Sequence, residues 1–133
     1  MRKPIAAITV MVALATASPA SAAVEVGTNC PSDLALPPAT FVPIARAQGS
    51  PLPIRAPFAG VVTEWKVELA LLPGSTMQQL KVLRPTPLPN EFTLVAESDV
   101  ETAVGGPNSY QTRIPVQAGD LFGLRGSGAT MIC

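Results

Sequence analysis

In the stretch GVVTEWKVELA, which begins at Gly60, polar and apolar residues alternate at every second position. Val61, Thr63, Trp65, Val67 and Leu69 fall on one side of an extended chain, and Glu64, Lys66 and Glu68 fall on the other. Successive strand side chains point to opposite faces, so a period of two predicts a β-strand with one buried surface. That surface has to be covered by another layer, and this requirement constrains the rest of the chain. Trp65, on the apolar side, is expected in the core.

The same reading extends downstream. PGST at 73–76 is a turn, MQQLKVLR a second strand and PTPLPN a rigid connection. EFTLVAES is a third strand, with Phe92, Leu94 and Ala96 on one face and Glu91, Thr93 and Val95 on the other. GGPNS at 105–109 turns the chain again, and YQTRIPVQ sets Tyr110, Thr112, Ile114 and Val116 on one side. QAGD leads into LFGLR, and ATMIC follows. No stretch in this region keeps a helical period of 3.6. Short strands separated by Gly, Pro and Asn turns predict an all-β fold, an antiparallel β-sandwich. Aromatic residues are scarce at 5% of the chain, so its core has to rest on Val, Leu, Ile and Ala.

Upstream, residues 23–57 read as a proline-rich arm. Pro31, Pro37, Pro38, Pro43, Pro51, Pro53 and Pro57 remove backbone donors and fix φ, which forbids a helix here. Leu34, Leu36, Phe41, Val42 and Ile44 interleave with these prolines, a mixture that suits an arm packed on a core. Short extended pieces such as FVPIA can serve as an edge strand, where a missing N–H faces water.

Residues 1–22 have the build of a secretory signal. Arg2 and Lys3 form a basic start, Ile5–Ala17 is uncharged and mostly apolar, and Ala20-Ser21-Ala22 is a small-residue cleavage site. The apolar run is shorter than the roughly 20 residues that span a bilayer. The expected product is a secreted, extracellular chain of residues 23–133, with no stable membrane insertion after cleavage. Its body is a single β-sandwich domain over 58–133. Once Arg2 and Lys3 are removed, the nine acidic residues outnumber the remaining basic ones, which are scattered. No cationic patch converges on phosphates, so nucleic acid is not an expected partner.

The compartment gives meaning to the two cysteines, Cys30 and Cys133. In an oxidising space they permit one intramolecular disulfide. Closing a loop on the order of a hundred residues would stabilise the fold by about 4–5 kcal/mol in the chain-entropy description. Two unpaired thiols, or a Cys133 whose partner lies in further sequence, remain as alternatives.

The chain contains no histidine, which excludes Ser-His-Asp and Cys-His relays. Two thiolates alone cannot complete a zinc site. Among carboxylate pairs, Glu64 and Glu68 lie roughly 13 Å apart on an extended strand, beyond the ~5–9.5 Å glycosidase range. Glu97, Asp99 and Glu101 in AESDVETA alternate at roughly 6.6 Å if the backbone stays extended. A solvated strand end is the plain reading of this cluster. A calcium site is the second, since carboxylates near a Gly-rich turn suit a hard cation. Catalysis by the cluster is the third. Arg113 is a candidate to neutralise one of these acids across a strand pair. Tyr110 is placed equally well in the core or on a ligand face, because its hydroxyl can reach water at a strand start.

Together FAGVVTEWKVELA, LKVLRP, VAESD and IPVQAGDLFGL resemble a group of uncharacterised secreted bacterial β-sandwich proteins of jelly-roll-like build. The likeness covers residues 54–126. It implies a late hairpin with an x-A-G-D turn, in which Gly119 supplies an unusual φ and Asp120 bonds back to backbone amides. Such proteins continue past a cysteine at this point, which leaves open a truncated form lacking closing strands. The resemblance implies a fold and no activity. The expected function is a non-catalytic module for extracellular interaction or structure, without a cofactor, its partner a cell-envelope glycan or an extracellular protein. The alternatives are a secreted hydrolase or accessory domain built on the 97–101 cluster, and a structural fragment with no independent function.

Overall fold

The computed structural model describes residues 23–27, 34–36, 39–41, 52–69, 74–126 and 130–132. Residues 1–22, where a secretory signal is expected, Cys30, Cys133 and much of the proline-rich stretch lie outside the described residues. Among those described there is no helix, and the strands are β1 (Leu34–Leu36), β2 (Ala39–Phe41), β3 (Gly60–Leu69), β4 (Ser75–Pro85), β5 (Phe92–Glu97), β6 (Glu101–Val104), β7 (Gly106–Val116), β8 (Leu121–Gly126) and β9 (Thr130–Ile132). The fold is all-β, and every strand pairing is antiparallel.

β4 is the central strand of the largest sheet. It has β8 on one side, and β5 and β6 share the other, while β2 pairs with the far edge of β8. Gln78 through Val82 are buried without interruption, Leu80 and Val82 in the apolar core and Gln79 and Lys81 beside the Ser98 and Glu97 groups they bond. β3 and β7 form a separate two-stranded ribbon, and β1 and β9 form another.

The apolar side of the ribbon meets the sheet. Trp65 of β3 and Ile114 of β7 cluster with Leu80 and Val82 of β4, and Ala96, Phe122 and Leu124 pack against them. Trp65 is 6% exposed, in agreement with its expected core position. The β7 alternation also holds, with Ile114 buried, Tyr110, Thr112 and Val116 half-buried, and Gln111, Arg113 and Pro115 exposed.

On β3 the alternation changes phase. The expected inward residues Val61 and Thr63 are exposed, and Val62 packs on the core instead. The cause is a register shift: Val62 faces Ile114 but Glu64 faces Gln111, which leaves Thr63 opposite both Thr112 and Arg113. An extra residue on one strand reverses which side its partner buries. A similar shift lies between Val82 and Leu83, where Val95 is the extra residue. Leu94, read from the sequence as inward-facing, is exposed as a result. The GGPNS turn is also shorter than expected. Only Gly105 bends, and Gly106 already begins β7. Asn108 makes this possible: its amide oxygen accepts the Val104 N–H, and its amide nitrogen donates to the carbonyls of Val104 and Gly106.

The arm contributes to the sheet. Ala39–Phe41 pairs with the edge of β8, and Arg55 bridges to Leu121 farther along the same edge. Next to that bridge, the turn between β7 and β8 has the conformation its sequence implies. Gly119 adopts φ +90°, and Asp120 Oδ2 accepts the Gln117 N–H at 2.8 Å. The arm closes on this turn through two backbone bonds: Ala56 N–H donates to the Asp120 carbonyl, and Gly119 N–H donates to the Ala56 carbonyl.

Candidate functional site

The backbone departs from regular pairing at two places outside the β5 edge, and these two places face one another. The first is the Thr112–Arg113 irregularity of β7. The second is the passage from β5 to β6. Glu97 faces Lys81 and Glu101 faces Gln78, so Ser98, Asp99 and Val100 cover a length for which β4 supplies two residues, Gln79 and Leu80.

Ser98 holds this second irregularity in place. Its N–H donates to the Leu80 carbonyl at 3.0 Å, and its hydroxyl oxygen accepts the Leu80 N–H at 3.0 Å in place of a backbone carbonyl. The displaced Ser98 carbonyl accepts from the buried Gln79 amide at 2.8 Å. A short polar side chain thus completes the ladder while the main chain swings outward. Such bulges bend strands and re-aim side chains, and they recur beside functional sites.

Between the two irregularities lies a shallow, open depression of about 440 Å³. It is lined by Glu97, Ser98 and Asp99 on one side and by Gln111, Thr112, Arg113 and Ile114 on the other. It is open to solvent over most of its extent, unlike the clefts that bury most of a small molecule, so anything held there stays well exposed to water. A second depression of about 390 Å³ lies beneath the Pro85–Phe92 connection beside Arg55. That connection is stiffened by Asn90 at φ 60° and by bonds from the N–H groups of Thr86 and Leu88.

The three acids of the 97–101 cluster have different surroundings. Glu97 forms an ion pair with Lys81, whose side chain is almost buried. The hydrogen bond and charge of Lys81 hold the Glu97 carboxyl below the usual range. Lys81 therefore does what the sequence suggested for Arg113. Glu101 begins β6 and is half-buried, while Asp99 is exposed at the rim of the depression. No group of three or more Asp, Glu, His or Cys side chains suited to a metal ion is gathered among the described residues.

Asp99 and Arg113 line the same depression, and neither takes part in an ion pair among the described residues. Tyr110 sits one residue before the β7 wall and turns inward. Its ring lies 4.6 Å from that of Trp65, tilted by 38°, and its hydroxyl donates to the Thr102 carbonyl at 2.8 Å. Burial and the nearby Glu101 charge raise its pKa. Sequence reading singled out Glu97 and Asp99 but not Ser98, Gln111 or Thr112 as part of a site. The signal they carry is a change of strand phase, which one strand's alternation cannot reveal.

Comparison with protein-family models, with curated proteins and with solved structures finds no match.

Proposed function

We propose that this protein is an exported, non-catalytic β-sandwich of jelly-roll-like build that acts as an extracellular binding module, with the 97–99 and 111–114 depression as its contact site. The observation that carries this reading is the convergence of two bulges on one hollow, where the Asp99 carboxylate and the Arg113 guanidinium have no ion-pair partner among the described residues. Regular strands would have been the simpler way to build these walls, and bulges at such a place serve to present side chains. Glu97 supports binding over hydrolysis. A general acid needs its proton held on at neutral pH, and Lys81 pulls this carboxyl in the opposite direction.

In the test, the purified protein is mixed with isolated envelope of the cells that produce it and sedimented. Co-sedimentation that is lost in a Asp99→Asn, Arg113→Gln double variant is expected. Protein that stays wholly in the supernatant would refute the module reading.

Export also bears on the cysteines, for which we propose a Cys30–Cys133 disulfide. The β1–β9 ladder supports it, since Leu34 faces Ile132, next in sequence to Cys133. Cys30 is three positions from the residue that would face Cys133, a gap of roughly 10 Å at full extension that a turn across Pro31-Ser32-Asp33 would close. Intact mass under non-reducing conditions is expected to match residues 23–133 less two hydrogens. An uncleaved mass counts against export, and two alkylatable thiols in the natively produced protein count against the bond.

A further inference from the structure

We infer that the ligand of this depression is a neutral saccharide, bound through adjacent hydroxyl groups; the inference rests on the binding-module reading above. The charge of the lining residues is the first argument. Glu97 is neutralised by Lys81, and Asp99 is balanced by Arg113 across the hollow. The described residues that line the hollow, counted with Lys81, therefore carry no net charge with which to select an anion or a cation. Phosphate-rich polymers would meet Asp99 and Glu97 as well as Arg113, and no metal-ligand set is gathered among the described residues.

Hydrogen-bonding capacity is the second argument. An ionised Asp99 only accepts and Arg113 only donates, while Gln111 and Thr112 can do both. A matching ligand has to offer donors and acceptors side by side without a net charge. Neighbouring sugar hydroxyls do this, because each O–H can donate to the carboxylate while its oxygen accepts from the guanidinium fork. Gln111 and Arg113 are both exposed and two positions apart on β7, on either side of Thr112, so they can address successive groups of an extended chain.

Among the described residues no aromatic ring lines the hollow, so binding there relies on hydrogen bonds exchanged with water. The expected Kd for a short oligosaccharide is on the order of 1 mM.

The test follows backbone amide shifts of ¹⁵N-labelled protein during titration. The probes are neutral β-1,4-glucose, β-1,4-N-acetylglucosamine and α-1,4-glucose oligomers, together with glycylglycine as a zwitterion and calcium chloride. At least one neutral oligomer should shift the amides of 97–99 and 111–114, with little change between low and high salt. Asp99→Asn and Arg113→Gln should each weaken that binding about tenfold. Lys66→Gln, on the outer face of β3, should leave it unchanged, and a dispersed spectrum verifies the fold of each variant. Shifts at these amides with glycylglycine or calcium, and with none of the sugars, would overturn the saccharide assignment and leave the site intact. Shifts with none of the probes would overturn both.

Discussion

Replacing Asp120 with Ala is expected to destabilise the protein by about 2 kcal/mol. The residue is 1% exposed, and its carboxylate is fully used. Oδ1 accepts from Arg84 Nε at 2.8 Å, and Oδ2 accepts from Arg84 Nη2 at 3.0 Å and from the Gln117 N–H at 2.8 Å. One side chain therefore ties the end of β4 to the turn that also receives the arm through Ala56. Truncation would strand the Gln117 N–H and leave the guanidinium without its partner. Urea denaturation followed by Trp65 fluorescence measures the loss, and a midpoint equal to wild type would remove Asp120 from its assigned role.

The effect should depend on pH in one direction. Hydrogen bonding by Arg84 lowers the Asp120 pKa against the opposing effect of burial, and the Gln117 N–H and the Arg84 charge assist. A carboxylate with a folded pKa below its unfolded value of roughly 3.9 binds fewer protons when folded. Its contribution is complete above that value and disappears as pH falls through the folded pKa. The gap between wild type and Asp120→Asn should therefore narrow as pH is lowered from neutral to about 3. The amide can still accept from Gln117, but it turns an N–H₂ group toward the Arg84 donors, so the Asn variant stays weaker at neutral pH.

Trp65→Ala carries the second large effect, a loss of about 3–5 kcal/mol. The indole fills the space between ribbon and sheet beside Leu80, Val82 and Ile114, and it stacks on Tyr110. Its Nε1 is buried with no hydrogen-bond partner among the described residues. An unmet buried donor offsets part of what the ring contributes, so Trp65→Phe should cost clearly less than the alanine change. Since the chain has one tryptophan, circular dichroism during thermal unfolding is the measurement for both variants. If Phe proves as damaging as Ala, the indole nitrogen has a partner and this account of the core is wrong.

The alternation around Trp65, the inward side of β7 and the Gly119–Asp120 turn were legible because each depends on neighbours within a few residues. Arg84–Asp120 was not, because the partners are brought together by the β4–β8 pairing and no local pattern marks either one. Val61 and Leu94 were assigned to the wrong side for a related reason. A bulge belongs to a pair of strands, and its cost and benefit are settled by both sequences together. The hollow is the extreme case. Glu97 and Asp99 stood out as acids, yet what distinguishes them is that Lys81 takes one and leaves the other, a difference set by register.

The arm strands have a further consequence for the order of events in folding. β1 waits for β9 and β2 for β8, partners that lie far along the chain, whereas β4 and β5 are joined by a short connection. Pairings between distant segments pay loop-closure entropy before they gain any contact energy, and they slow the search for the native state. While the polypeptide is being synthesised, the arm has nothing to pair with until most of the body exists. It should then be the last piece to dock, and the first to show amide hydrogen exchange when the native protein opens locally.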